Sequence, residues 1–285
     1  MLDKTPLLSG VSDIADRYDV FLLDVWGVLH NGIELYPTTK DCLRELLERG
    51  KKVLLISNTC NRDNQLADML DGMGLSADYY DAIFTAGSTC HAGVAQFDGQ
   101  SCWYIGHETF LTLLEGYQVM VNDTPRGSDF VVNAISGMFP GDHSHLHAKL
   151  DEALALKLPM LCANPDLVAH VGDDLMQCAG TFAQYYEDHG GQVYWYGKPH
   201  EPIYEAAWEF AGRPDKSRVV AVGDSIRTDI QGANRFGIDS VLNLVGIHRE
   251  EVLCDKLEEV DADKLSAMLR EQPFQPAYVL NGFQW

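Results

Sequence analysis

The sequence predicts an α/β protein: a Rossmann-like parallel sheet flanked by helices, interrupted by a second, smaller α/β unit. Three observations carry this expectation. First, short and wholly apolar runs recur, as in Val20-Phe21-Leu22-Leu23, Val53-Leu54-Leu55-Ile56 and Val219-Val220-Ala221-Val222. Their length suits strands buried on both faces better than helices. Second, these runs alternate with stretches of helical spacing, and a β-α-β-α-β order implies right-handed crossovers and a parallel sheet. Third, each run ends on polar residues, at the carboxyl edge where open α/β sheets place their ligand crevice.

Taken in order, 11–18 (VSDIADRY) reads as a short helix leading into the strand 20–23. A helix begins near Pro37, with Cys42-Leu43 and Leu46-Leu47 on one face and Gly50 as its stop. Strand 53–56 then runs into Ser57-Asn58-Thr59, a second helix covers NRDNQLADMLDGMGL, and YYDAIFTAG is a strand leaving the first unit. From 85 to 190 the chain forms the inserted unit, with strands at 101–105, 117–120, 130–132 and 160–163 and helices in FLTLLEG and HLHAKLDEALAL. Residues 1–84 and 191–285 together make the main unit. Its second part contains Val193-Tyr194-Trp195-Tyr196, the helix PIYEAAWEFAG, strand 219–222, a helix from about Thr228 and a strand at 240–244. The apolar tail ending YVLNGFQW packs on the core.

The 285 residues are 46% hydrophobic, enough for one large or two modest cores, and the formal net charge is -21. Nucleic acid and anionic membranes would be repelled by such a chain, so neither is expected as a partner. Seven cysteines, at 42, 60, 90, 102, 162, 178 and 254, form no CxxC pair and read as reduced, mostly buried thiols. No signal-peptide pattern opens the sequence and no apolar run approaches the roughly 18 residues of a membrane span. A soluble, cytoplasmic protein is expected; a homodimer is left open.

Four polar clusters each follow a strand: Asp24, Ser57-Asn58, Lys198, and Asp224 with Asp229. An Asp nucleophile can take a phosphoryl group and divide one difficult displacement into two. Two or three carboxylates suit Mg²⁺, which would offset their repulsion of an incoming phosphate. A hydroxyl and an ammonium such as those of Ser57 and Lys198 can hold phosphoryl oxygens. Other chemistry-bearing groups read as ordinary structure. His143, His145 and His147 alternate on what looks like a loop entering a helix, and Cys90-His91 are helix neighbours that point apart.

In this combination the chain resembles the haloacid dehalogenase superfamily, and its NagD-like phosphatase branch in particular. The matching stretches are DVWGVLHNG, LLISNT, YGKP and GDSIRTD, with the inserted unit between the second and third, where that branch carries an α/β cap. ANPD at 163–166 looks like that cap's NPD signature. The resemblance implies a parallel-sheet core with an inserted cap and Mg²⁺-dependent hydrolysis of a small phosphorylated metabolite through an aspartyl-phosphate. It makes Asp24 nucleophile and metal ligand, the Trp26 carbonyl a backbone ligand, Asp224 the other direct carboxylate ligand and Asp229 its support. Ser57 and Lys198 would grip the phosphoryl group, with Asn58 and Trp26 near the substrate; Asn164 and Asp166, at the pocket mouth, either set substrate choice or cap the turn that follows.

One position departs from the family pattern. Phosphatases of the superfamily carry a second Asp two residues after the nucleophile, as general acid; here it is Trp26. An indole N–H donates a hydrogen bond but delivers no proton near neutral pH. Loss of a general acid costs roughly a hundred- to ten-thousand-fold, about 3–5 kcal/mol of barrier. That cost is greatest for alkyl phosphates and small for aryl phosphates or mixed anhydrides. His30 is the candidate substitute acid. Two other readings stay open: a catalytically weakened protein that binds a phosphorylated ligand, and a dehalogenase-like hydrolase. Dehalogenases carry a Tyr at the Trp26 position, but they work without metal, whereas GDSIRTD keeps the phosphatase-type acidic pair.

Overall fold

A computed structural model describes residues 5–137, 143, 146–171, 174–248, 252 and 260–285. It divides into two compact units. One holds the chain up to Ser57, Ala67–Phe84 and Tyr204 onward; the other holds Asn58–Leu66 and Thr85–Ile203.

The elements of the first part are β1 (Leu7–Leu8), β2 (Val20–Leu23), α1 (Thr39–Glu48), β3 (Lys52–Ser57), α2 (Asp63–Gly72) and β4 (Ala82–Thr85). Next come α3 (Ala86–Val94), β5 (Ser101–Gly106), β6 (Met120–Asn122), β7 (Phe130–Ala134), α4 (Leu146–Ala155) and β8 (Met160–Cys162). They are followed by β9 (Val168–Val171), β10 (Asp174–Gln177), α5 (Ala179–Asp188), β11 (Val193–Trp195) and α6 (Glu201–Phe210). The chain closes with β12 (Val219–Gly223), α7 (Gln231–Phe236), β13 (Asp239–Asn243), α8 (Ala262–Arg270) and β14 (Tyr278–Leu280).

The first unit is built on a seven-stranded sheet of order β1-β14-β13-β12-β2-β3-β4. From β1 to β3 every neighbouring pair is parallel. Strands β2 and β12 are buried along their whole length, which explains why they read as unbroken apolar runs rather than alternating ones. Helix α1 buries Cys42, Leu43 and Leu46, the stripe expected at helical spacing.

The second unit has a five-stranded sheet of order β11-β8-β7-β5-β6, all parallel, and a separate antiparallel hairpin of β9 and β10. Alternate residues feed two cores. Trp103, Ile105, Val131, Met160 and Cys162 pack with Leu150 of α4 and Phe182 of α5. Cys102, Phe130, Val132 and Leu161 pack with Cys90 of α3 and with Phe110 and Leu113 of the 3₁₀ segment Glu108–Leu114. Both faces of this sheet are therefore covered, as in a doubly wound domain of its own.

Several expectations are corrected. The second unit extends to Ile203 instead of ending at 190, because β11 pairs with β8 and belongs to its sheet. The expected helix 11–18 is two short 3₁₀ turns, Val11–Asp13 and Ala15–Arg17. The strand placed at 117–120 is Met120–Asn122, and the tail contributes the strand β14. His143 lies ahead of α4 and its ring packs edge-on to Phe182; His145 lies outside the described residues. Six cysteines are free and buried, and Cys254 lies outside the described residues. Among the described residues no helix is long and apolar enough to cross a membrane.

Candidate active site

Strands β2 and β12 run side by side in register, Leu23 opposite Val222. The next residues, Asp24 and Gly223-Asp224, therefore leave the sheet together at its carboxyl edge. The Asp24 N–H donates to the Val222 carbonyl at 2.8 Å, extending the ladder by one bond. On the other side, Leu23 pairs with Leu55, which brings Ser57, the buried last residue of β3, to the same edge.

After Asp224 the chain makes one wide turn, a π-helix over Ile226–Ile230, a form that recurs at functional sites. It folds Asp229 back: the Ser225 N–H donates to Asp229 Oδ2 at 3.1 Å and the Asp229 N–H to the Ser225 carbonyl at 2.9 Å. The result is three buried carboxylates, Asp24, Asp224 and Asp229, each with an oxygen within 4.8 Å of the others. Glycines make this crowding possible. A Cβ on Gly27 or Gly246 would overlap Asp224 Oδ2, and one on Gly223 would overlap the Asp229 carboxyl. The Ile247 N–H donates to Asp224 Oδ2 at 3.0 Å. Asn243 of β13 donates to the Gly27 carbonyl at 2.8 Å and accepts from the Gly282 N–H at 3.1 Å, tying the turn after β2 to the segment after β14.

Buried like charges repel strongly unless something neutralises them. An all-oxygen donor set of this kind suits a hard divalent cation such as Mg²⁺, so the residues present fit the metal expected from the sequence.

Trp26 and His30 sit on the turn after Asp24, joined by a backbone bridge and with ring centroids 5.6 Å apart. The indole is 37% exposed and lies against Gly32, where a Cβ would stand 2.6 Å from its Cζ2. His30 is buried, and its Nδ1 accepts from the Gly32 N–H at 2.8 Å. Desolvation pushes its pKa down to about 4, so the ring is neutral at pH 7. Burial thus works against His30 as substitute acid, since it favours the uncharged ring over the imidazolium that would deliver a proton.

Asn58, Asn164, Asp166 and Lys198 belong to the second unit. Asn58 is buried and both its N–H donors are taken, one by Asp166 Oδ1 at 2.8 Å and one by the Lys198 carbonyl at 2.9 Å. Its Oδ1 accepts from the Lys198 N–H at 2.7 Å. The amide expected to touch substrate instead holds the backbone of Lys198. Asn164 Oδ1 accepts from the Asp166 N–H at 2.9 Å, an Asx turn. Cys90, beside His91, has a thiol raised well above its usual pKa by burial, and His91 Nδ1 lies 2.9 Å from the Leu113 carbonyl; the pair is structural.

The comparisons with known proteins agree with this geometry. A family model described as haloacid dehalogenase-like hydrolase matches residues 21–120, and a HAD-hydrolase-like model matches 195–284. The 5'-nucleotidase YutF of Bacillus subtilis (strain 168) is 26% identical over 247 residues, covering 85% of this chain and 93% of its own length. The ribonucleotide monophosphatase NagD of Escherichia coli (strain K12) is 23% identical over 260 residues, covering 90% and 94%. A solved haloacid dehalogenase-like hydrolase from Brucella suis 1330 superposes with a TM-score of 0.81 at 28% identity, covering 97% of this chain and 99% of its own. The chain belongs to the haloacid dehalogenase-like hydrolases, in their NagD-like phosphatase branch.

Within that branch the carboxylate edge is the part most legible from the sequence. Reasoning from sequence missed Gly27, Asn243, Gly246 and Ile247, which hold Asp224 and the turn after Asp24 in place. A signal was present: Gly246 closely follows the strand next to the one that carries Asp224, where an invading backbone would be needed.

Proposed function

We propose that this protein is a Mg²⁺-dependent cytoplasmic phosphohydrolase that cleaves a small phosphorylated metabolite by phosphoryl transfer to Asp24. The observation that carries the reading is the cluster of three buried carboxylates at the carboxyl edge of β2 and β12. Mg²⁺, held by Asp24, Asp224, Asp229 and the Trp26 carbonyl, would supply positive charge against which a phosphate can approach three carboxylates.

The chain's own residues do the rest. An Asp24 oxygen attacks phosphorus, a P–O bond to Asp24 forms, and the P–O bond to the leaving group breaks with its electron pair on the departing oxygen, which leaves as a phenoxide or carboxylate anion. Water then attacks the phosphorus of the aspartyl-phosphate, releasing inorganic phosphate and restoring the Asp24 carboxylate. Ser57 and Lys198 hold the phosphoryl oxygens through the transfer. Asn58 acts at one remove, by fixing the Lys198 backbone.

Trp26 sets the substrate class. With Trp26 at the acid position and His30 neutral, the leaving group must depart without a proton from either. Aryl phosphates and acyl phosphates meet that requirement; simple alkyl phosphates do not. The test is hydrolysis of p-nitrophenyl phosphate, acetyl phosphate and glycerol 3-phosphate, with and without Mg²⁺, beside Asp24→Asn. Mg²⁺- and Asp24-dependent turnover of the first two with slow turnover of the third is expected. Turnover that persists in Asp24→Asn would overturn the mechanism, and Mg²⁺-dependent phosphate binding without turnover of any ester would favour a binding protein.

A further inference from the structure

The second unit has a sheet edge of its own with the features of a ligand site. In chain order its parallel strands are β5, β6, β7, β8 and β11, and in space they run β11-β8-β7-β5-β6. The chain therefore starts in β5, steps to β6 on one side, then crosses to β7 on the other. This is the 2-1-3-4-5 order of doubly wound folds, whose ligand crevice opens at the carboxyl ends of the first and third strands, where the direction of winding reverses. A cavity of about 360 Å³ lies there.

Its lining comes from the predicted places. Gly106 ends β5 and His107 follows it, Ser136 follows β7, and Asp123 follows β6. Gly106 is required for the close approach of β5 to β7, since a Cβ would stand 2.7 Å from the Ala134 carbonyl oxygen. Lys149 of α4 donates to the Asp123 carbonyl at 3.0 Å, and its Nζ is 6.0 Å from the Trp103 ring centroid. One N–H of the ammonium is thus used, and two remain. The Asp123 carboxylate has no hydrogen bond or ion pair among the described residues.

These groups select a ligand chemistry. In dinucleotide-binding doubly wound folds a carboxylate downstream of the first strand accepts from a ribose hydroxyl, and Asp123, just past the second strand, offers a carboxylate for that chemistry. Lys149 offers donors to an anion, and Ile105, Ile135 and Leu146 give an apolar wall. The turn between β5, which ends on Gly106, and the following 3₁₀ segment is the single residue His107. It lacks the glycine-rich loop that cradles a pyrophosphate, and the volume falls at the small end of the range for ligand cavities, so a dinucleotide is excluded.

We propose that this cavity binds a ribosyl monophosphate, with Asp123 accepting from the vicinal diol and Lys149 pairing with the phosphate. The shared chemistry can come from a free pentose phosphate or from a nucleoside monophosphate whose base meets the apolar wall. The site does not depend on Asp24 chemistry, so it stands or falls apart from the phosphohydrolase reading.

The test is calorimetric titration of full-length Asp24→Asn protein, which spares the probes from turnover through Asp24, with AMP, dAMP and ribose 5-phosphate in the absence of Mg²⁺. AMP is expected to bind about tenfold more tightly than dAMP, the worth of one good hydrogen bond. Adding Asp123→Ala should erase the preference for AMP over dAMP, weakening AMP more than dAMP, which keeps only one of the two hydroxyls. Adding Lys149→Met should weaken every probe that binds. Ribose 5-phosphate matching AMP identifies the sugar phosphate as sufficient, whereas binding of AMP alone adds the base. Both side chains are at least partly exposed, so neither substitution threatens the fold. Binding indifferent to Asp123→Ala and Lys149→Met, equal binding of AMP and dAMP, or no binding of any probe would overturn the proposal.

Discussion

The two units carry the same kind of parallel edge and equip it differently. In the first, the carboxyl ends of β2 and β12 hold three buried carboxylates pressed against glycines, with backbone N–H groups fixing Asp224 Oδ2 and Asp229 Oδ2. In the second, the ends of β5, β6 and β7 surround a cavity with one exposed carboxylate, one lysine and an apolar wall. Topology alone assigns both edges as places for ligands. Chemistry separates them: concentrated buried charge demands a cation and supports covalent transfer, whereas dispersed charge around a cavity supports binding and nothing more.

The comparison breaks first at Asp24. Asp24→Asn is expected to lower kcat by on the order of 10⁴-fold or more, as loss of a nucleophile does elsewhere, with the thermal unfolding midpoint held or raised because one buried charge is removed. A fall of less than tenfold would mean that the first edge, like the second, only binds. Gly246→Ala comes next. Its Cβ would overlap Asp224 Oδ2, so either the loop or the carboxylate must move, costing about 1–3 kcal/mol. The rise in melting temperature expected on adding Mg²⁺ should shrink or vanish with it, as in Asp224→Ala. An unchanged Mg²⁺ response would show that the metal does not use Asp224. Smaller again is Asn58→Ala, which strips the Lys198 backbone and Asp166 of their partner. A loss of about 1–3 kcal/mol is expected from the unsatisfied groups, with a lower kcat that Asn58→Asp does not fully restore because Asp lacks the two donors.

How much of this is readable in the sequence depends on range. Asp24 and Asp224 are legible because each follows a short buried strand, and strand-end position is a local property. The separation of the chain into two α/β units is legible for the same reason. The placement of β11 is not, since pairing with β8 is a contact between distant segments and Val193–Trp195 has no signal that favours one sheet over the other. Asn58 reads as a substrate contact but acts as a clamp. Its partners Asp166 and Lys198 are 108 and 140 positions away, and nothing local tells one role from the other. His30 reads as a proton donor, yet the burial that sets its proton affinity depends on how the turn after β2 folds back. The cavity of the second unit is invisible in the sequence, because it needs the crossing from β6 to β7 and no single stretch encodes that.

The measurement that tests the central claim most directly is the dependence of kcat/KM on leaving-group acidity, across aryl and alkyl phosphates, in the natural protein and in Trp26→Asp. With no proton donor at the Trp26 position, the natural protein should show a steep fall from p-nitrophenyl phosphate to glycerol 3-phosphate. Trp26→Asp should flatten that fall by raising alkyl turnover about 10²–10⁴-fold, the usual worth of a general acid. A flat dependence in the natural protein, or no gain in Trp26→Asp, would contradict the account.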